Sequence, residues 1–244
     1  MGTVTAERLL RAWESTLAEQ TVRRAAALLA VCRDEDTTEV ARWGVAERDA
    51  ALFDLRGELF GTQATALAEC PDCGGQLEVP LDLRALRPRP SGAPTDAVSI
   101  DGYRVRAHPP STEDLLAASL GADEEAALEA LLARCVEQVL TPAGEELALA
   151  AVPARVGHRI RAHLSSSLED VDLDLALTCV RCGSTFHAPF DIATFLLREV
   201  EVWAHRLLAE VHVLAGAYGW AEGAILGLSA RRRRSYLDLI EGVT

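Results

Sequence analysis

The chain has 244 residues, 49% of them apolar, and a formal net charge of −13. That length allows one or two compact domains, and no apolar run reaches the length of a membrane span. The acidic balance opposes nonspecific binding to nucleic acid or to anionic membranes, both of which need a basic surface.

From Thr5 to about Arg33 the pattern is helical. Leu9, Leu10, Trp13, Leu17, Ala25, Leu28 and Leu29 recur at steps of three and four. The charged turn Arg33–Asp36 separates this from a second helical stretch, which runs to Phe60 and stops at Gly61. Residues 70–83 then read CPDCGGQLEVPLDL: two cysteines at knuckle spacing, a glycine turn, and alternating Leu77, Val79, Leu81 and Leu83. A period of two predicts a half-buried strand.

Residues 86–97 are rich in Pro, Gly and Ser and read as a linker. The segment VSIDGYRVRAHP predicts a hairpin turning at Asp101-Gly102, a dipeptide suited to type I′ geometry. Ser111 or Thr112 then caps a helix with Asp114 near N3, and further helices are predicted at 123–140 and 152–166. After the acidic strand DVDLDLAL, residues 179–192 repeat the first motif as CVRCGSTFHAPFDI. The remainder is helical. Phe195, Leu196, Val200, Trp203, Leu207, Leu208, Val211 and Leu214 form a wide apolar stripe. A short helix at 221–227 and a last one capped by Ser229 follow.

The two copies share the frame C-x-x-C-G-x-x-[Leu/Phe]-x-x-P-[Leu/Phe]-D-[Leu/Ile]. Each supplies two thiols, so Cys70, Cys73, Cys179 and Cys182 make a tetrahedral four-thiolate set suited to structural Zn2+. Four thiolates leave no open coordination position, which argues against a catalytic metal. Bridging a loop of about 105 residues instead of about 15 costs only about 1.7 kcal/mol more. Structural zinc contributes on the order of 10–16 kcal/mol, so metal binding wins. The rival readings are weaker. A redox C-x-x-C opens a helix, whereas Gly-Gly and a strand pattern follow Cys73. Disulfides need an oxidising compartment, and MGTVTAERLLRAWESTLAEQ lacks the basic start and apolar core of a signal peptide. A cytoplasmic protein is the expectation. A degenerate site without metal is the third alternative.

Cys32 and Cys135 fall in apolar helical patterns and read as small buried hydrophobes, and His187 alternates away from its strand's apolar set. His205 and His212 share a helical face, yet no histidines stand at i, i+4, so a second metal site is not expected. Trp43, Trp203 and Trp220 read as core or interface anchors. Arg231, Arg232, Arg233 and Arg234 form the only basic run, at a helix start where like charge opposes the dipole. The run is either a solvated face, an anionic partner's contact, or the start of a recognition helix. No nucleophile elbow, P-loop, dinucleotide fingerprint or HExxH occurs, so no enzyme is expected.

The ending LLAEVHVLAGAYGWAEGAILGLSARRRRSYLDLI resembles that of proteins from phage-tail-like contractile injection clusters, which are similar to the T-even phage baseplate hub assembly family. The AERDAALFDLRGELFG segment, the paired CxxCG motifs and the LLARCV insert extend the likeness over most of the chain. The resemblance implies a non-enzymatic assembly chaperone partnered by a hub or tape-measure protein of the same system. It singles out Tyr218, Gly219, Trp220, Ile225, Leu228, Arg232, Arg233 and Tyr236, and supplies no catalytic residue. With Trp203, Arg231 and Arg234, the aromatic and basic residues of this ending are the candidate partner contacts. The apolar stripe at 195–214 is expected to hold an apolar partner segment. Two other functions stay open: a nucleic-acid-binding zinc ribbon using the Arg-rich helix, and a minor subunit resident in the baseplate.

The expected fold is therefore α+β and mostly helical. A helical region at 1–66 precedes a split zinc-ribbon-like core at 67–83 and 172–192. A hairpin-plus-helices insert at 84–171 divides that core, and a helical region at 193–244 ends the chain.

Overall fold

The computed structural model describes residues 4–17, 19, 21–89, 97–166 and 173–242, so most of the linker read at 86–97 and the start of the acidic strand lie outside the described residues. The chain divides into two compact units: one from its two ends (Met1–Thr37 with Ala193–Thr244), the other from Thr38–Ile192. The architecture is α+β and mostly helical, with small sheets.

The first unit begins with α1 (Ala6–Ser15) and α2 (Thr21–Arg33). The single helical pattern read from Thr5 to Arg33 is thus two helices. Thr5 caps α1 by accepting from the Arg8 amide, and α1 ends at Thr16, whose hydroxyl turns back to the Trp13 carbonyl at 3.1 Å. A threonine satisfying its own helix's carbonyl competes with helix continuation.

The second unit opens with α3 (Thr37–Arg42) and α4 (Val45–Phe60). Gly61, at φ 86°, stops α4 as the sequence predicts. Arg56 then donates to the carbonyls of Gly61 (2.5 Å) and Gln63 (2.8 Å), which turns the chain into β1 (Gln63–Glu69). β1 pairs antiparallel with β2 (Gln76–Asp82) in the register Gln63↔Asp82 to Glu69↔Gln76. A short α5 (Leu83–Leu86) follows.

The insert contains β3 (Val98–Ile100), β4 (Tyr103–Ala107), α6 (Thr112–Ala118), α7 (Glu124–Cys135), β5 (Val136–Leu140), a 3-10 turn (Leu149–Ala151) and α8 (Ala154–Ser166). The strands form one antiparallel sheet in the order β3-β4-β5. Asp101 (φ 50°) and Gly102 (φ 86°) both take the positive φ that a type I′ turn demands. Arg155 and Arg159, one helical turn apart on α8, both grip Asp101 and hold its carboxyl below the usual carboxylate range. Ser111 and Asp114 form a reciprocal capping box at the start of α6. The helix predicted at 123–140 ends at Cys135, because Val136 leaves helical geometry (ψ 106°) and β5 pairs with β4. Ile100, Val105, Leu132, Cys135, Val139, Val156, Ile160 and Leu164 give the insert its own core.

A second antiparallel pair, β6 (Leu173–Thr178) and β7 (Thr185–Phe190), closes this unit. The first unit resumes with α9 (Ile192–Tyr218), α10 (Glu222–Leu226) and α11 (Ala230–Glu241). Ser229 caps α11 by accepting from the Arg232 amide. Within this unit α1 packs on α2 and α10, and Trp13 meets the His205 ring edge-on at 5.4 Å. The apolar stripe of α9 does not lie open for a partner. Leu196, Val200, Leu207, Val211 and Leu214 are buried, and Phe195, Trp203 and Leu208 are half-buried.

A candidate metal centre of four cysteines

Each C-x-x-C sits at the tip of a hairpin, between β1 and β2 in one copy and between β6 and β7 in the other. β2 and β7 follow their cysteine pairs as the alternating patterns predict, whereas β1 precedes the first pair without such a pattern. Its inward positions, Ala64, Ala66 and Ala68, are too small to announce a buried face, while Leu67 points outward at 72% exposure.

The two tips are built alike. The Cys70 amide donates to the Gly75 carbonyl and the Gly74 amide to the Cys70 carbonyl, both at 2.9 Å. In the second copy Cys179 donates to Ser184 and Gly183 to Cys179, both at 2.8 Å. Gly74 (φ 63°) and Gly183 (φ 77°) hold the left-handed conformation that closes each knuckle, where a side chain is strained.

These turns aim all four sulfurs at one point, and the four Sγ atoms lie within 4.8 Å of one another. Cys70 faces Cys182 and Cys73 faces Cys179, each pair at 3.7 Å. That is far beyond a disulfide bond of about 2.05 Å. It matches the edge of a tetrahedron, roughly 3.8 Å, around an ion bound at about 2.3 Å from each sulfur. Cys70 and Cys179 are buried, Cys73 is half-buried and Cys182 exposed. Leu77, Val79 and Phe186 pack beside them.

The charges fit a cation. Amides of Cys182 and Arg181 aim at the Cys179 sulfur and bring its pKa down to about 6. The Ser184 amide lowers that of Cys182, but local desolvation at the sulfur and the three other sulfurs outweigh it and push the thiol up to about 12. Cys73 is raised as well: the Gly75 amide acts downward, yet burial and neighbouring sulfurs prevail. Thiols that resist ionising together, because negative charge accumulates among them, are the setting a divalent ion resolves. The four-cysteine group can hold a metal ion.

His187, near the second knuckle, is exposed and pairs instead with Asp174 at 3.1 Å. Cys32 is buried, as its pattern indicated. Cys135, also buried, lies close to His108 and Asp114, three residue types that can ligate metal. This trio does not fit a metal. Both ring nitrogens of His108 face backbone carbonyls, Nδ1 that of Pro109 (3.0 Å) and Nε2 that of Arg134 (3.1 Å), so neither is turned to an ion. Asp114 already accepts from the Ser111 amide and hydroxyl and from Arg134 Nε. Burial, helped by the Asp114 charge, pushes the Cys135 thiol up to about 12. The Arg134–Asp114 pair fastens α6 to the end of α7.

A buried pair with no signature in the sequence anchors α4 beside it. Arg48 donates to Asp49 at 2.7 Å and to the Thr112 hydroxyl at 3.1 Å, all three groups buried. Desolvation raises the Asp49 pKa despite the neighbouring guanidinium. The Val45 amide donates to the Pro110 carbonyl at 2.9 Å. Only tertiary contact reveals this pair, since adjacent Arg-Asp in a helix ordinarily faces solvent.

The candidate partner contacts at the C-terminus divide. Tyr218 and Trp220 stack at 4.7 Å, and Tyr236 meets them edge-on at 5.7 and 4.9 Å. Trp203 is half-buried on α9. Arg231, Arg232 and Arg234 are exposed. Arg233 is buried, donating to Glu210 at 2.7 Å and to the Leu228 carbonyl at 2.8 Å, so the fold consumes it.

Fold and site together define an α+β protein whose two remote hairpins meet in a four-cysteine cluster. The family model described as T4 bacteriophage base plate protein matches residues 3–154, and the chain belongs to that family. The match takes in the first knuckle and most of the insert but ends before Cys179, Cys182 and the C-terminal helices. No curated protein and no solved structure matches the chain. Among the described residues no helix is long and apolar enough to cross a membrane.

Proposed function

We propose that this protein is a non-enzymatic assembly factor, a chaperone, for the baseplate or hub of a phage-tail-like contractile system, locked by one structural zinc. The observation that carries the reading is the baseplate family match over residues 3–154. The four sulfurs support the structural role of the metal: a full tetrahedral set offers substrate no coordination position. The partner is a hub or tape-measure protein of the same system. Co-expression of the tagged chain with each co-encoded tail protein, followed by affinity capture at modest salt, tests this. Failure to retain any of them counts against the assembly role.

A second reading has support in the family's description as a base plate protein, which favours residence in the finished particle. Mass spectrometry of purified particles separates the two: a chaperone is absent, a minor subunit present at fixed stoichiometry. The nucleic-acid reading loses much of its basis. Arg233 is engaged internally and Arg234 pairs with Asp238 at 2.9 Å, so of the four arginines only Arg231 and Arg232 lack a carboxylate partner among the described residues. Binding of duplex DNA at about 50 mM salt, weakening steeply as salt rises, would revive it.

A further inference from the structure

We propose that the outer face of α11, with the Tyr218–Trp220–Tyr236 cluster, is the docking surface of the assembly reading, and that its occupant is an acidic partner segment with a bulky apolar anchor. The inference rests on that reading and adds the place and the chemistry of contact.

The apolar stripe of α9 is buried and offers a partner little surface. At the end of the chain, Leu239 is 58% exposed, Ile240 39% and Tyr218 39%. On α11, Arg232, Tyr236 and Ile240 follow one another at intervals of four, with Leu239 alongside, while Arg233 and Leu237 face inward. The three rings hold one another at 4.7–5.7 Å, which fixes a rigid apolar shelf next to that stripe. Aromatic side chains and arginine are the residues enriched at interface centres, and this surface brings both together.

Charge selects the occupant. The chain carries 37 acidic residues against 24 arginines. Yet Arg231 and Arg232 sit side by side with no carboxylate paired to either among the described residues. They stand in the first turn of a twelve-residue helix, where the dipole disfavours cations. An incoming carboxylate relieves both the mutual repulsion and the dipole. A neutral apolar segment would leave those charges at the rim unanswered, and a second copy of this acidic chain would add repulsion around the contact.

The test uses the full chain, captured with each co-encoded baseplate protein, together with tiled peptides of whichever protein is retained. Two pairs probe the surface, R231E with R232E and L239A with I240A. V202A with V213A, exposed apolar positions on α9 (51% and 42%), is the control. All six positions are exposed, so a thermal melt no lower than the parent's shows that each variant folds; R231E/R232E is expected to melt at the parent temperature or slightly above it, because acidic residues suit a helix start. The expected result is an acidic retained peptide, at least 10-fold weaker binding for R231E/R232E, and about 30-fold weaker for L239A/I240A. The control pair is expected to bind like the parent. Capture unaffected by either surface pair overturns this inference and leaves the assembly reading standing. Retention of no baseplate protein overturns both. A homodimer by light scattering that both surface pairs abolish, or duplex DNA binding that R231E/R232E abolishes, puts a different occupant on the face and overturns the proposal.

Discussion

Replacing Cys179 by serine removes one corner of the four-sulfur cluster and tests the physical basis of the whole arrangement. Between the hairpins the apolar packing is thin: Cys70, Leu77 and Cys179 are buried, with Cys73, Val79 and Phe186 only partly so. Two-stranded hairpins are marginal alone, and a buried aliphatic or aromatic side chain contributes at most about 1.5–3 kcal/mol. A structural zinc contributes on the order of 10–16 kcal/mol. Losing even a third of that, about 4 kcal/mol, raises the opening of the hairpins roughly a thousandfold. The insert has a separate core of eight buried residues and needs no metal to keep it. The expected outcome is therefore local. Elemental analysis finds one zinc per chain in the parent and less than stoichiometric zinc in C179S. Native-state hydrogen exchange then shows β1, β2, β6 and β7 losing protection by about three orders of magnitude, with β4 and β5 unchanged. A chelator applied to the parent reproduces the pattern. Parent protein purified without stoichiometric metal, or protection of β1 and β2 that survives the substitution, refutes the reasoning.

Asp114→Asn should destabilise the protein by about 2–3 kcal/mol in denaturant titrations, since a buried carboxylate with three donors becomes a poorer acceptor. The Asp114 pKa is lowered in the fold: burial opposes this, but the Ser111 hydrogen bonds and Arg134 prevail. Its contribution is thus present above the ordinary value of 3.8 and fades as pH falls through the folded value, so D114N flattens the acid limb of the stability curve. Arg233→Ala should cost about 1–3 kcal/mol by emptying a buried site and removing its bonds to Glu210 and the Leu228 carbonyl, against under about 0.5 kcal/mol for the exposed Arg232→Ala, in parallel thermal melts. Equal effects would contradict the inward placement of Arg233. Gly183→Ala meets no atom within 4 Å, so its cost, about 1–2 kcal/mol, comes from the left-handed backbone alone. Zinc competition assays should show a matching loss of affinity, and an unchanged melt would speak against a strained knuckle.

The features already readable in the chain are those whose cause is local. The CxxCG repeat, the Asp101-Gly102 turn, the Ser111–Asp114 box, the Gly61 stop and the Ser229 cap each depend on backbone geometry within a few residues, which residue type dictates directly. The convergence of the cysteines could also be inferred, because two half-sites of one chemistry need each other. The spacing inside the cluster, 3.7 Å for both Cys70–Cys182 and Cys73–Cys179, is not readable in the chain, since it depends on how the hairpins meet. β1 leaves no pattern in the sequence because its inward face is alanine, and the helix predicted at 123–140 stops at Cys135 because β5 exists only through its pairing with β4. Four consecutive arginines are alike as letters; the burial of one beside Glu210 separates a structural cation from the exposed ones around it. The same holds for the stripe on α9. Periodicity identifies a face that must be covered, but whether the chain covers it or leaves it to a partner depends on long-range packing, to which local rules are blind.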